Sequence, residues 1–83
     1  MRKIRKVSKL EEKNSLLETL RHNEDALDYI QNQIYETENI LNIDPGDAII
    51  AGQLATERYI KFSLEYLDKC YTDRLKALGV KVW

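Results

Sequence analysis

Turn chemistry is scarce in this chain, with three glycines and one proline among 83 residues. That scarcity excludes a fold of many short elements joined by tight turns and favours long helices with few connections. The single cysteine, Cys70, excludes an internal disulfide and a cysteine-based zinc cluster, so a reducing compartment is expected. Aromatic residues are only 8% of the chain, and its length allows one small core and no second domain. No apolar run approaches membrane-spanning length, and the N-terminus lacks the apolar stretch of a signal peptide. A cytoplasmic chain with no membrane partner is the expectation. Phosphate loops, dinucleotide fingerprints, HExxH and nucleophile elbows are also missing. His22 reads as a solvated or half-buried helical residue and Cys70 as a buried structural thiol. Neither has a partner in sequence that would make it reactive. The expectation is therefore no enzyme, with no catalytic residue, no metal and no cofactor.

What is abundant is helical periodicity. Leu20, Leu27, Ile34 and Leu41 stand seven apart, and Leu16, Asn23, Ile30 and Thr37 supply the companion row of a heptad seam that is half polar. Upstream, Ile4, Val7, Leu10 and Leu17 carry an apolar stripe with a shift of phase, as a stutter would. The spacing predicts a first helix over about 3–41, roughly 57 Å long at 1.5 Å per residue. Asn23 reads either as a polar core residue that fixes register or as a mark of the phase shift. Proline, glycine and Asx residues cluster only at Asn42-Ile43-Asp44-Pro45-Gly46-Asp47, which predicts a turn at 42–46. Asp44 before Pro45 reads as an N-cap with proline at the first helical position. A second helix is expected over about 45–78, with Ile50, Leu54, Ile60, Leu64, Leu67, Tyr71, Leu75 and Leu78 in one broad stripe. Gly52 marks a possible bend or break, and Gly79 a C-terminal stop. So short a connection makes the helices antiparallel neighbours. The fold class is all-α, a two-helix antiparallel coiled-coil hairpin over 1–83. The helical pattern beginning beside Met1 reads as a piece of a longer chain.

Net charge is −1 overall, but residues 1–13 carry +4, residues 14–47 carry −7 and residues 48–83 carry +2. Folding back gathers the basic segments at one end and leaves an acidic tip, so the hairpin is an electrical dipole. The near-zero total gives no reason to expect a nucleic-acid partner.

A coiled-coil seam does not explain Tyr59, Phe62 and Tyr66. With Ala55 they are spaced 3 and 4 apart and form a second apolar stripe on the second helix. Either they are a contact surface for a partner, another copy or the rest of the parent protein, or the helix is rotated so that they are core.

Several of these residues carry a family resemblance. Asp28-Tyr29-Ile30 with Ile34, then Ile43-Asp44, Ile49 or Ile50 with Ala51, Leu54 and Arg58-Tyr59-Ile60 resemble the regulatory coiled-coil segment of kinesin-4 family motors. The branch that brakes microtubule growth is the most similar. The resemblance covers roughly residues 26–66, and the sequence departs from the pattern at Pro45-Gly46 and in a shorter connection between Ile34 and Asp44. It implies an autoinhibitory hairpin that folds back onto the motor domain of its own chain, on the microtubule cytoskeleton. Tyr59, Phe62 and Tyr66 would make the contact, and Glu36, Glu38, Asp44 and Asp47 would steer the acidic tip to a basic surface. A structural oligomerisation or spacer coiled coil, with a homo-oligomer as its product, is the alternative.

Overall fold

A computed structural model describes residues 8–80. It contains two helices, α1 (Lys9–Ile43) and α2 (Ala48–Ala77), packed as an antiparallel hairpin. Contacts along the pairing set its direction: Thr37 meets Gln53 near the tip, Asn23 meets Leu64 at mid-length, and Glu12 meets Arg74 at the open end. The molecule is a single layer of helices, 15 Å in its thinnest extent, little more than the 10–12 Å of one helix with its side chains. Its radius of gyration, 18.0 Å, exceeds the roughly 12 Å of a compact domain of this length. There is no globular interior; what is buried is buried in the seam.

Both helices start and stop on identifiable chemistry. Ser8 caps α1, its hydroxyl accepting the Glu11 amide at 3.2 Å, and Glu11 and Glu12 place acid in the first turn, where the helix dipole favours it. The connection is a turn in which Asp47 N–H donates to the Asp44 carbonyl at 3.2 Å, with Pro45 and Gly46 at its centre. Asp47 rather than Asp44 then caps α2, its carboxylate accepting the amides of Ile49 and Ile50 at 3.0 and 3.1 Å. The second helix therefore begins at Ala48, three residues later than the Asp44-Pro45 pattern suggests. At the far end Gly79 has φ 84°, Val80 N–H donates to the Leu75 carbonyl and Gly79 N–H to that of Lys76. This double bond pattern is a Schellman stop, which needs a left-handed residue that glycine supplies without strain.

The seam of α1 follows the heptad seen in the sequence. Leu20, Asn23, Ile30, Ile34 and Thr37 are buried, with Leu16, Leu27 and Leu41 half-buried between them. No stutter interrupts it: the row continues upstream through Leu16 and Lys13, and Leu10 and Leu17 lie off it, exposed. Ile4 and Val7 fall outside the described residues. The seam of α2 differs from the expected stripe. It runs through Ile50, Leu54, Glu57, Lys61, Leu64, Asp68, Tyr71, Leu75 and Leu78 at alternating 4 and 3 spacing, and Ile60 and Leu67 sit beside it, 41% and 38% exposed. Ile30, Ile34 and Leu54 form the core, flanked by Leu41 and Leu64, each fully buried one contributing roughly 1.5–3 kcal/mol. Helix α2 is continuous through Gly52, so there is no break there. Cys70 is exposed, not buried, because it lies on the outer half of α2, away from the seam.

Candidate docking surfaces

Heptad positions sort every remaining side chain onto a surface. With Leu20, Leu27 and Ile34 at position a and Asn23, Ile30 and Thr37 at d, Glu38 falls at e and Glu12 at g. With Leu54 at a and Glu57 at d in α2, Arg58 falls at e and Arg74 at g. Glu38 pairs with Arg58 at 3.5 Å and Glu12 with Arg74, so the e sides of both helices share one broad face and the g sides share the other.

The first broad face, from positions e and b, is charged. It holds Arg21, Glu24, Asp28 and Glu38 on α1, and Arg58, Glu65, Lys69 and Lys76 on α2. Phe62 stands among them. Tyr59 and Tyr66 occupy position f of α2, directly opposite the seam. The three aromatics are 72%, 68% and 63% exposed for Tyr59, Phe62 and Tyr66. They form a continuous outer row and are not core, so the reading in which α2 is rotated to bury them does not hold. Their surroundings are ordinary helix: the Ser63 hydroxyl donates to the Tyr59 carbonyl at 3.0 Å, and the Thr56 hydroxyl to that of Gly52 at 3.1 Å.

The second broad face, from positions g and c, is nearly free of charge. Apart from the Glu12–Arg74 pair at the open end and Glu36, it presents His22, Tyr29, Ile40, Ile43, Ile49, Ile60 and Leu67 among threonine, serine, alanine, glutamine and Cys70. The sequence reading missed this surface because Ile60 and Leu67 were counted as seam. The signal that separates them is the strict 4–3 spacing through Glu57, Lys61 and Asp68.

The acidic residues of the tip do not act as one patch. Asp47 is engaged in capping, Glu38 is paired with Arg58, and Glu36 points to the charge-poor face. Only Asp44, exposed in the turn, stands at the tip with its carboxylate facing water. Tyr59 lies eleven residues beyond the start of α2, about 16 Å along the helix axis, so Asp44 and Asp47 in the turn lie apart from the aromatic row, whereas Glu38, paired with Arg58, shares the charged face with Phe62. His22 is exposed on α1.

A polar layer interrupts the seam towards the tip. Gln53 reaches the Thr37 hydroxyl and the Glu57 carboxylate, each at 3.5 Å, and Thr37 donates to the Gln33 carbonyl at 2.9 Å. Glu57 is buried, and its Oε1 has no hydrogen-bond partner. No described helix is long and apolar enough to cross a membrane, and among the described residues no group of His, Cys, Asp and Glu is arranged to hold a metal ion. In comparisons with known proteins, no family model, no curated protein and no solved structure matches this chain.

Proposed function

We propose that the hairpin is a non-catalytic docking module whose contact surface is the row Tyr59, Phe62 and Tyr66. The observation that carries this reading is the exposure of three large aromatics, spaced 3 and 4 apart, on the side of α2 that the hairpin itself does not cover. Exposed aromatic rows of this kind supply the buried anchors of protein contacts, and the charged residues around Phe62 suit a polar rim.

The partner proposed is the motor domain of a kinesin-4 type chain, on the strength of the resemblance over residues 26–66. Docking would hold the motor in an inactive state and shift its population, and release would free it. A tether between module and motor makes the effective concentration high, so a small contact suffices. Asp44 and Glu36 are the acids free to meet a basic surface of the motor, while Glu38 and Asp47 contribute field rather than contact. This reading places the chain on the microtubule cytoskeleton of the cytoplasm.

The test is to titrate the 83-residue chain into a kinesin-4 motor domain and follow microtubule-stimulated ATPase activity. Inhibition that disappears in a Tyr59→Ser, Phe62→Ser, Tyr66→Ser variant with unchanged helicity is the expected result. A motor that runs at full rate in large excess of folded chain would remove the motor as partner.

A further inference from the structure

We propose that the charge-poor face, built on Ile40, Ile49, Ile60 and Leu67, packs against the same face of a second copy to form a four-helix bundle. Three independent observations support it.

The first is where charge is absent. Between residues 15 and 70 the e and b side of the hairpin carries seven charged residues, whereas the g and c side carries only Glu36, with His22 on the same side. The two sides are equally available to water in a lone hairpin, and charged residues make up a third of the chain. Solvation alone gives no reason for one side to exclude them. Depletion of charge with retained aliphatic residues is the composition of an interface centre.

The second is area. The chain exposes 6899 Å², whereas a compact monomer of its 9.8 kDa exposes about 5,200 Å². The surplus of about 1,700 Å² is roughly twice the 800 Å² that one partner contributes to a stable interface. A dimer through the charge-poor face therefore leaves the aromatic row free for another partner. Among the described residues the seam buries only Leu20, Ile30, Ile34, Leu54 and Leu75 as apolar side chains, and only Leu75 completely. Chains this short with so small a core usually draw on a disulfide, a metal or a further subunit, and Cys70 has no second cysteine to pair with inside the chain.

The third is charge between the helices, which selects both the partner and its orientation. Helix α1 carries eight acidic residues against three basic, and α2 five basic against four acidic. Two twofold arrangements bring the charge-poor faces together. An axis across the hairpin lays α1 on α1, acid upon acid. An axis along the hairpin lays α1 of each copy on α2 of the other, so that the acidic helix meets the one with a slight positive excess. Both arrangements make all four neighbouring pairs antiparallel, as in four-helix bundles, so charge selects the second. It matches apolar residues by height. The Asn23–Leu64 and Thr37–Gln53 contacts set residue 40 level with about residue 50, so Ile40 of one copy meets Ile49 of the other. Ile60 and Leu67 then fall level with Tyr29 and His22 on the stretch of α1 that also presents Thr19, Ala26 and Gln33, so only Glu36 brings a carboxylate to the contact.

The test is sedimentation equilibrium of the whole chain over a range of concentrations, beside an Ile49→Glu, Leu67→Glu variant and the Tyr59→Ser, Phe62→Ser, Tyr66→Ser variant. Ile49 and Leu67 lie outside the seam, so the double variant should keep its helicity by circular dichroism. The expected result is a dimer of the native chain, a dissociation constant raised by more than about tenfold in the double variant, and no change in the aromatic variant. A native chain that stays at 9.8 kDa at millimolar concentration overturns the proposal. So does a dimer that survives the double variant, because the chains would then be joined through another surface. Orientation is read in a Cys70→Ser background by mixing an Ile40→Cys chain with an Ile49→Cys chain. Ready formation of the mixed disulfide supports α1 lying on α2, and its failure in a dimeric mixture overturns that arrangement.

Discussion

The Asn23 side-chain amide donates to the main-chain carbonyl of Leu64 at 2.9 Å, joining residues 41 apart in sequence. A carbonyl has two lone pairs, so Leu64 can accept this bond and still serve its own helix. Sliding the helices by one turn would move Asn23 off that acceptor and leave a buried amide unpaired, at about 1–3 kcal/mol. Asn23 thus works as a register pin in the seam, one of the two roles open from sequence. Asn23→Leu removes the pin while adding apolar burial. The melting temperature should hold or rise, and amide NMR signals around Leu64 should broaden or double as registers mix. Sharp, single signals in the variant would show that the apolar seam sets register unaided.

Glu57 is the mirror case, a polar seam residue that is poorly served. It is 8% exposed, its Oε1 is unpaired, and its best bond is 3.5 Å to Gln53. Beside Ile34 and Leu54 an apolar side chain of similar size fits the layer better. Glu57→Leu is expected to stabilise the hairpin by about 1–3 kcal/mol in urea unfolding. A loss of stability would mean that the carboxylate has a partner in solution, with Lys61 one turn away as the first place to look.

The seam of α1 was legible because its positions are filled by Leu16, Leu20, Leu27, Ile30, Ile34 and Leu41, with Lys13, Asn23 and Thr37 as exceptions. In α2, hydrophobic patterning pointed to Ile60 and Leu67, yet burial follows the 4–3 rhythm through Glu57, Lys61 and Asp68. A period-based reading weighs side-chain apolarity, while packing against a straight partner weighs angle around the helix. Where the two disagreed, angle prevailed and Ile60 and Leu67 were displaced to the flank. The turn was legible to within three residues. Asp44-Pro45 and Asp47-Ala48 are both acceptable helix starts by capping, and the β-turn closed between Asp44 and Asp47 selects the later one.

The two ends of α2 contain glycines whose substitution should act in opposite directions. A Cβ at Gly52 meets nothing within 4 Å, and the site is an exposed helix interior. Gly52→Ala is expected to add about 0.5–1 kcal/mol. Gly79 has equally open surroundings but φ 84°, so Gly79→Ala should remove about 1 kcal/mol through backbone strain alone. Thermal melts of the two variants bracket the native chain if this is right. Two shifts of the same sign would contradict it.

The Glu12–Arg74 pair gives a pH signature at the open end. The hydrogen bond from Arg74 is the main reason that the Glu12 carboxyl lies below its usual 4.5. A lowered folded-state value means that the pair stabilises above about pH 4.5 and loses its contribution as pH falls through the lowered value. Both side chains are in water, so the effect is small and screened by salt. Arg74→Gln should melt slightly lower than the native chain at pH 7, and the gap should narrow as pH falls below 4.5 through the lowered value. A gap that does not narrow as pH falls would assign the difference to packing of the arginine stem.

The aromatic row offers a test in which magnitude decides between two pictures. If Tyr59, Phe62 and Tyr66 belonged to a core, truncating even one of them would remove about 3–5 kcal/mol and the triple variant would not fold. All three are more than three-fifths exposed, and surface substitutions away from special features usually stay within about 0.5 kcal/mol. The Tyr59→Ser, Phe62→Ser, Tyr66→Ser variant is therefore expected to unfold in urea within about 1.5 kcal/mol of the native chain, with an unchanged helical spectrum. A much larger loss would mean that in solution the row is covered, either by a rotated α2 or by another copy. The aromatic row would then be structural, and the docking surface would have to be sought elsewhere on the hairpin.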